Sequence, residues 1–326
     1  MAITKKNNSS AYFIKGILNG EIDVLSKAIT VIESANPAHR KLAANILKGL
    51  NNIKTNSFRL GITGVPGVGK STFIESFGKK LIEKNHKLAV LAIDPSSTKS
   101  KGSILGDKTR MEELSKSKNV FIRPSPNGKS LGGVARSTYE TILLCEAAGF
   151  DFIIIETVGV GQSEIAVSRM TDFFLLLMLA GAGDELQGIK RGIMEMADSL
   201  VITKADGNNK EKAKIARGEY ARAMHLLPAP ESGFTARVEV CSALENQGMD
   251  KIYDLIQSYK THVSANQYFQ HKRKTQNNEL LKIAAEEYLI SAFNNDKSVQ
   301  KKIKELSAKK FLPFVEAVKL VDRFIK

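Results

Sequence analysis

The sequence contains few of the residues that crosslink small secreted proteins or bind transition metals. Only two cysteines occur in 326 residues, Cys145 and Cys241, and they lie far apart in the chain. The five histidines are scattered singly, without a Cys-x-x-Cys or His-x-His arrangement. These scarcities argue against a disulfide scaffold and against a thiol- or imidazole-rich metal site, and they favour a reducing compartment.

A long hydrophobic run is also missing from the sequence. The most apolar stretch, residues 173–180, has the length of a buried strand, whereas a membrane-spanning helix needs about 20 apolar residues. Residues 1–10 are polar and lack the apolar centre of a secretory signal. We therefore expect a soluble, cytoplasmic protein without a membrane partner.

Negative charge is scarce relative to positive charge. The chain has 48 Lys and Arg against 34 Asp and Glu, which gives a formal net charge of +14 at pH 7. Such an excess can indicate a nucleic-acid partner, but Trp is absent and few aromatic residues lie among the lysines. Because the positive residues are spread along the chain, we interpret them as solvated surface and expect no nucleic-acid partner.

One stretch matches the phosphate-binding P-loop pattern G-x-x-x-x-G-K-[ST]. It consists of Gly64, Val65, Pro66, Gly67, Val68, Gly69, Lys70, Ser71 and Thr72. A short apolar segment precedes it and apolar residues at helical spacing follow it, which is the strand–loop–helix context that the motif needs. The glycines let backbone N–H groups turn toward phosphate oxygens at a helix N-terminus. We expect Lys70 to reach the β- and γ-phosphates and Ser71 to bind Mg²⁺.

Strand-like and helix-like segments alternate from residue 58 onward. Strands are predicted at 59–63, 88–93, 120–123, 152–155, 173–179, 199–203 and 238–241. This alternation predicts an α/β fold of the P-loop NTPase type, with a mainly parallel sheet flanked by helices. Ligands of such sheets bind at the carboxyl ends of the strands.

Helical patterns flank this central region on both sides. Residues 1–57 are predicted to form a helical N-terminal extension, with a break at Pro37, and residues 58–262 the P-loop domain. Residues 263–326 are predicted to form a C-terminal helical region. Its apolar side chains need a surface against which they are buried. That surface belongs either to the same chain or to a second copy of it.

Carboxylates are predicted beside the P-loop at two strand ends and one helix start. Glu156 ends one strand and precedes Gly159, whose backbone N–H is able to contact a γ-phosphate. That contact exists with a nucleoside triphosphate and is lost after hydrolysis. Asp94 follows another strand and is a candidate to hold a Mg²⁺-bound water. Asp107 precedes a helix, where an ordinary N-cap is an equally good interpretation.

The segment Thr203-Lys204-Ala205-Asp206 bears on the choice of base. Guanine presents N1–H and N2–H₂ as adjacent donors that one carboxylate accepts together, whereas adenine presents an acceptor at N1. Asp206 is the candidate carboxylate, and the aliphatic stem of Lys204 is expected on the ring plane. The segment resembles the N-K-x-D motif of GTPases, with Thr203 where Asn is usual, and a hydroxyl replaces only part of the hydrogen bonding of an amide.

A short loop follows the last predicted strand. It contains Ser242, Ala243 and Leu244. It resembles the GTPase loop whose backbone amides contact the guanine carbonyl oxygen, and an ordinary loop is the alternative interpretation. Its place after the other motifs supports the guanine interpretation.

Five strings together resemble the MeaB/ArgK family. They are GVPGVGKST at 64–72, DPSS at 94–97, GDKTRM at 106–111, ETVGVGQSE at 156–164 and AGDELQGIK at 182–190. The resemblance extends from about residue 18 to the end and is weakest over the C-terminal helices. The strings at 156–164 and 182–190 are far more specific than the P-loop.

The resemblance implies a GTPase chaperone of an adenosylcobalamin-dependent methylmalonyl-CoA mutase or a related acyl-CoA mutase. Members assist loading of the cobalamin cofactor and protection of the mutase, and they are typically homodimers through C-terminal helices. The ligands implied are GTP, GDP and Mg²⁺. Hydrolysis is implied to be slow alone and faster with the mutase.

The resemblance also implies roles for individual residues. Lys70 and Ser71 bind phosphate and Mg²⁺. The carboxylates of Asp94, Asp107 and Glu156 form the magnesium and switch network. A third mobile loop, which responds to nucleotide and partner, contains Gln187 and Lys190.

Three alternatives use the same P-loop. A kinase, a label that ArgK-type proteins have carried, would transfer phosphate to a second substrate. A metal-insertion GTPase would need the thiol- or His-rich site that this sequence lacks. A signal-recognition-type GTPase that binds RNA has only the net charge in its favour.

Overall fold

The computed structural model describes residues 9–34, 36–93, 111–124, 131–157, 163–181, 191–308 and 310–325. The chain divides into two compact units, Met1–Gln276 and Asn277–Lys326. The first unit contains a seven-stranded sheet, and the described residues of the second are mostly helical. The domain boundaries expected after residues 57 and 262 stay predictions.

Among the described residues, three helices precede the sheet: Ser10–Leu18, Ile22–Glu33 and Pro37–Leu50. The side chain of Asn36 accepts a hydrogen bond from the N–H of Ala38 at 2.9 Å, and Pro37 opens the third helix, so the predicted break is present. A further break follows Leu18, where Gly20 has a φ of +72° that most side chains disfavour. The predicted helical N-terminal segment is confirmed, with three helices in it.

The sheet consists of seven strands in the order β3-β2-β4-β1-β5-β6-β7. The strands are β1 Phe58–Gly64, β2 Leu88–Ile93, β3 Val120–Arg123, β4 Phe152–Thr157, β5 Phe173–Leu179, β6 Ser199–Thr203 and β7 Val238–Val240. All neighbouring strands pair in parallel. The predicted α/β fold is confirmed, and all the carboxyl ends lie at one edge of the sheet.

Helices cover both faces of the sheet. In the first unit they are Lys70–Glu83, Glu112–Ser115, Leu131–Ala147, Ser163–Ser168, Arg191–Met196, Lys210–His225 and Met249–Ala265, together with the 3₁₀ turn Gly207–Asn209. Alternate residues of β4 enter different cores. Ile153 and Ile155 pack with the N-terminal helices, whereas Phe152 and Ile154 pack with the P-loop helix Lys70–Glu83.

A buried ion network lies at the amino end of β1, opposite the P-loop. The guanidinium of Arg59 donates to both carboxylate oxygens of Glu146, at 2.7 and 2.9 Å. Its backbone N–H donates to Asp172 at 2.8 Å, and Asp172 also accepts two hydrogen bonds from Arg273 at 2.8 and 2.7 Å. Burial lowers the pKa of Arg59, but the hydrogen bonds and charge of Glu146 outweigh this and raise it overall.

The remaining helices are Tyr268–Asn295, Lys297–Ser307 and Pro313–Ile325. In the second unit Phe293 and Phe324 meet edge to face, with ring centroids 5.3 Å apart. Large apolar side chains on these helices remain exposed, and Phe314 is 90% exposed. Across the described residues, we find no helix with the length and apolar composition to cross a membrane.

A matched pair of glycine substitutions tests the packing of β1. A Cβ on Gly61 would lie 2.7 Å from Phe174 and 2.9 Å from Val167, whereas a Cβ on Gly218 meets nothing within 4 Å. We expect Gly61→Ala to lower the free energy of unfolding by about 1–3 kcal/mol through overpacking. Gly218→Ala, in the helix Lys210–His225, should raise it by about 0.5–1 kcal/mol. Urea unfolding followed by circular dichroism measures both, and equal effects would contradict the packing around β1.

Candidate nucleotide-binding site

The P-loop leaves the carboxyl end of β1 through three glycines with positive φ, namely Gly64, Gly67 and Gly69. A Cβ on Gly64 would lie 2.6 Å from the carbonyl oxygen of Leu177 on β5, so only glycine fits this close approach. Gly69 is the N-cap residue of the next helix and has no side chain to cap it. The N–H groups of the first turn are therefore available to phosphate oxygens.

Lys70 opens the helix and turns back into the loop. Its ammonium donates to the carbonyl oxygens of Gly64 at 2.7 Å and Val65 at 3.3 Å. Burial lowers the pKa of Lys70, while the charges of Glu156 and Glu164 oppose this shift. The P-loop therefore holds a partly desolvated cation whose favourable partner is an anion such as phosphate.

Glu156 lies beside the P-loop, near the carboxyl end of β4. Its register pairs it with Ile62 on β1 and Ala92 on β2, and it is only 5% exposed. The next residue, Thr157, donates its hydroxyl hydrogen to Thr63 at 2.9 Å. This hydrogen bond holds β4 to β1 immediately before the P-loop. The carboxylate of Glu156 is therefore fixed next to the P-loop, which suits the role predicted for it.

The residues predicted to hold Mg²⁺ are only partly described. Ser71 and Glu156 are described, and a hydroxyl and a carboxylate are oxygen donors of the kind that Mg²⁺ takes together with nucleotide phosphates. No set of three His, Cys, Asp or Glu side chains positioned to hold a metal occurs among the described residues. Several predicted positions lie outside those residues: Asp94, Asp107, Gly159, Gln187 and Lys190. The donor chemistry present fits Mg²⁺ bound through few protein ligands.

Thr203 joins the base-binding segment to the P-loop. Its hydroxyl lies 2.7 Å from the carbonyl oxygen of Val68 and 3.2 Å from that of Met178 on β5, and it donates to them. Lys204, at a φ of +55°, carries its stem over the P-loop, since a Cβ on Gly69 would lie 3.8 Å from its Cε. The expected packing of the Lys204 stem on the plane of the base stays a prediction.

Asp206 is oriented by the loop that follows β7. The hydroxyl of Ser242 donates to Oδ2 of Asp206 at 2.7 Å and accepts from the N–H of Glu245 at 3.1 Å. Two backbone hydrogen bonds between Ser242 and Gln247, at 3.0 and 2.9 Å, close this loop. The side chain of Ser242 therefore positions Asp206, which leaves base contact in this loop to backbone groups of residues such as Ala243 and Leu244.

The loop after β7 is also joined to the P-loop helix. Ser76 donates to the side-chain oxygen of Asn246 at 3.0 Å, and Lys210 pairs with Glu245 at 2.9 Å. Contacts for phosphate and for base are thus connected by hydrogen bonds across segments that are distant in sequence. Because these segments are already held together, fewer groups have to be ordered when a nucleotide binds, and the entropic cost of binding is lower.

Sequence reasoning missed the buried acid Glu164. It lies in the first turn of the helix Ser163–Ser168, is 1% exposed and is close enough to Lys70 to affect its pKa. An acid in a first helical turn is usually an exposed complement to the helix dipole. Only burial distinguishes Glu164 from that ordinary case, and burial is not visible in the local sequence.

Comparisons with known proteins identify relatives of most of the chain. A family model described as "Methylmalonyl Co-A mutase-associated GTPase MeaB" matches residues 25–298. GTPase ArgK of Escherichia coli (strain K12) is 47% identical over 278 residues, which cover 85% of this chain and 84% of that protein. Methylmalonic aciduria type A homolog, mitochondrial, of Mus musculus is 44% identical over 298 residues, 88% of this chain and 72% of that protein.

A solved structure has the same overall fold. It is described as "Crystal structure of LAO/AO transport system kinase", and its TM-score is 0.78 with 36% sequence identity. The similarity covers 100% of both chains. The α/β architecture and its helical additions are therefore shared with this relative.

Replacement of Lys70 separates binding from folding. Because burial lowers the pKa of Lys70, the folded protein holds this charge at a cost. We expect Lys70→Ala to abolish tight nucleotide binding while the free energy of unfolding changes by less than about 1 kcal/mol. Titration calorimetry and urea unfolding measure the two effects. Lys214→Ala, which removes an exposed pair with Glu211, should change neither, and tight binding by Lys70→Ala would contradict the P-loop assignment.

Proposed function

The chain belongs to the MeaB family of methylmalonyl-CoA mutase-associated GTPases, and from this premise we propose that it is a chaperone of a cobalamin-dependent mutase. In this proposal GTP hydrolysis assists loading of adenosylcobalamin onto a methylmalonyl-CoA mutase or a related acyl-CoA mutase, and protects the loaded enzyme. The guanine nucleotide acts as a conformational signal, and its phosphate is released to water. The protein acts in the cytoplasm.

One structural observation carries the guanine assignment. The hydroxyl of Ser242 holds Asp206 at the same sheet edge that carries the P-loop, at 2.7 Å. A carboxylate fixed in this way is able to accept both N1–H and N2–H₂ of guanine, and its charge strengthens both hydrogen bonds. Adenine offers an acceptor at N1 and is repelled.

The proposed mechanism assigns the site residues tasks at the phosphates. N–H groups of the P-loop and the ammonium of Lys70 bind the β- and γ-phosphates. Ser71, Glu156, Asp94 and Asp107 would hold Mg²⁺, which supplies charge neutralisation at the phosphate oxygens. A water oxygen attacks the γ-phosphorus, the bond to the β–γ bridging oxygen breaks, and GDP leaves with the electron pair.

The proposed switch comprises two loops that lie outside the described residues. The N–H of Gly159 contacts the γ-phosphate before hydrolysis and loses it afterwards. Gln187 and Lys190 belong to a loop that responds to nucleotide and to the mutase. Because the ligand differs between the two states by one phosphoryl group, these loops report the nucleotide state to the partner.

We also propose a homodimer formed through the C-terminal helices. Apolar side chains of the second unit are exposed, among them Leu312 at 70% and Phe314 at 90%. Exposed apolar surface of this kind is typical of an interface. The matching family model, which is described as mutase-associated, supports the mutase as the second partner.

The alternatives have less support. The related solved structure carries the name of a kinase, and a kinase would place phosphate on a third molecule. A metal-insertion role needs accessible thiolates or imidazoles. Burial raises the pKa of Cys241 to about 12 and raises that of Cys145 as well, so both thiols are protonated and poor metal ligands.

The base assignment is tested by Asp206→Asn. The amide replaces one acceptor with a donor, so we expect GTP affinity to fall by roughly tenfold or more. Xanthosine triphosphate, which carries a carbonyl oxygen in place of the N2 amine, should lose less affinity or gain some. Competition calorimetry compares the two nucleotides, and GTP affinity equal to that of the unmodified chain would remove Asp206 from the base site.

The chaperone proposal is tested by phosphate release. GTP and ATP are titrated with the full chain, with and without a cobalamin-dependent methylmalonyl-CoA mutase, and Lys70→Ala serves as the inactive control. We expect preference for GTP and faster phosphate release when the mutase is present. Preference for ATP, or phosphate recovered on a third molecule, would favour the kinase alternative instead.

A further inference from the structure

We infer that Thr203 makes the base site indifferent to N7 of guanine, so that guanine is recognised at its N1, N2 and O6 positions alone. The protein should therefore accept guanine nucleotides that lack the N7 acceptor, such as 7-deaza-GDP. This inference rests on the proposed function, since it requires guanine to occupy the site beside Asp206. The hydrogen bonds of the Thr203 hydroxyl would thus determine that N7 is not among the atoms of guanine that the site recognises.

The hydroxyl of Thr203 has a single hydrogen to donate. Its oxygen lies 2.7 Å from the carbonyl oxygen of Val68 and 3.2 Å from that of Met178. Carbonyl oxygens only accept hydrogen bonds, so the one hydrogen of Thr203 is directed at these two groups. The residue is 4% exposed, which holds the hydroxyl in this arrangement.

The base then meets only the lone pairs of this hydroxyl. N7 of guanine is itself an acceptor, so no hydrogen bond forms between N7 and Thr203. The side-chain amide of Asn, which is usual at this position in GTPases, has two N–H hydrogens. One of them is able to serve the Val68 carbonyl while the other serves N7. Exchange of Asn for Thr therefore removes the donor for N7 and keeps the tie to the P-loop.

Other donors of the same segment are engaged elsewhere. The N–H of Ala205 donates to the carbonyl oxygen of Cys241 at 3.0 Å. The side-chain amide of Asn209 donates to the carbonyl oxygen of Lys204 at 2.7 Å. Lys204 extends its stem over Gly69. The Ala205 N–H and the bonded N–H of the Asn209 amide are therefore not available to replace the missing amide donor.

The tie to Val68 explains why a hydroxyl is retained here. Val68 lies within the P-loop and Met178 lies on β5, so one buried hydroxyl connects β6 to both the phosphate loop and its neighbouring strand. A side chain without a hydrogen-bond donor would leave the buried carbonyl of Val68 unpaired. Thr203 thus keeps the two halves of the site aligned without reading the base.

The test compares four nucleoside diphosphates, GDP, 7-deaza-GDP, IDP and ADP, on the full-length chain by titration calorimetry with Mg²⁺. We expect the dissociation constants of GDP and 7-deaza-GDP to agree within about twofold, because no neutral hydrogen bond to N7 is lost. IDP lacks the N2 amine whose hydrogen bond Asp206 accepts in the proposed site. Its dissociation constant should therefore be at least about tenfold higher than that of GDP. A preference of about fivefold or more for GDP over 7-deaza-GDP in the unmodified chain would overturn the inference.

Two variants at position 203 sharpen the comparison. Thr203→Asn supplies the second N–H, and we expect it to favour GDP over 7-deaza-GDP by about fivefold. Thr203→Val has nearly the same shape but no hydrogen to donate, so it should weaken both nucleotides by the same factor. If Thr203→Asn binds GDP and shows no such preference, residue 203 does not face N7 and the inference is wrong.

If the proposed function is wrong, the pattern of nucleotide affinities differs from the pattern expected when only the inference about Thr203 is wrong. A chain that binds ADP as well as GDP, or that does not distinguish IDP from GDP, lacks the guanine site beside Asp206. A chain that rejects ADP and IDP but also rejects 7-deaza-GDP keeps the guanine site and disproves only the inference about Thr203. If Thr203→Asn does not fold by circular dichroism, the comparison in the unmodified chain still decides the matter.

Discussion

The parallel pairing of β1 between β4 and β5 is the constraint on which the site depends. Because parallel strands present their carboxyl ends at one edge, the P-loop and Glu156 are brought to the same place. Gly64 approaches the backbone of β5 so closely that a side chain has no room there. At the opposite end of β1, the buried pair of Arg59 and Glu146 holds the strand in register. Loss of Glu146 would leave the buried guanidinium of Arg59 without its hydrogen-bonded counter-charge.

Nucleotide recognition is assembled from segments that the chain separates widely. The hydroxyl of Thr203 reaches the P-loop, that of Ser242 reaches Asp206, and that of Ser76 reaches the loop after β7. These three hydroxyls belong to short side chains that are already hydrogen-bonded. Little conformational entropy is therefore lost from them when the nucleotide binds. Meanwhile the desolvated ammonium of Lys70 is costly in the free protein and favourable beside phosphate. The site is therefore prepared for an anionic ligand at some cost to the stability of the free chain.

Family membership and site geometry bear on different parts of the function. The relatives support hydrolysis of GTP and association with a mutase, whereas the geometry addresses which atoms of the nucleotide are read. At position 203 the two meet, because the altered residue of a GTPase motif keeps a hydrogen bond to the P-loop, and we infer that it does not contact N7 of the base. We propose that specificity for guanine then depends mainly on Asp206, because a charged acceptor contributes more than a neutral hydrogen bond at N7.

The sequence by itself determined the elements and the identity of the phosphate loop. Glycine spacing in the P-loop, apolar runs for the strands and the T-K-x-D segment are local patterns, and the structure has the predicted fold. Only the tertiary structure decided the order of strands, the burial of Glu164, and the acceptors of the Thr203 and Ser242 hydroxyls. Thr203 and Val68 are far apart in the chain, and no local periodicity encodes which distant carbonyl a hydroxyl will meet. That pairing follows from strand order and register, which depend on packing of the whole sheet.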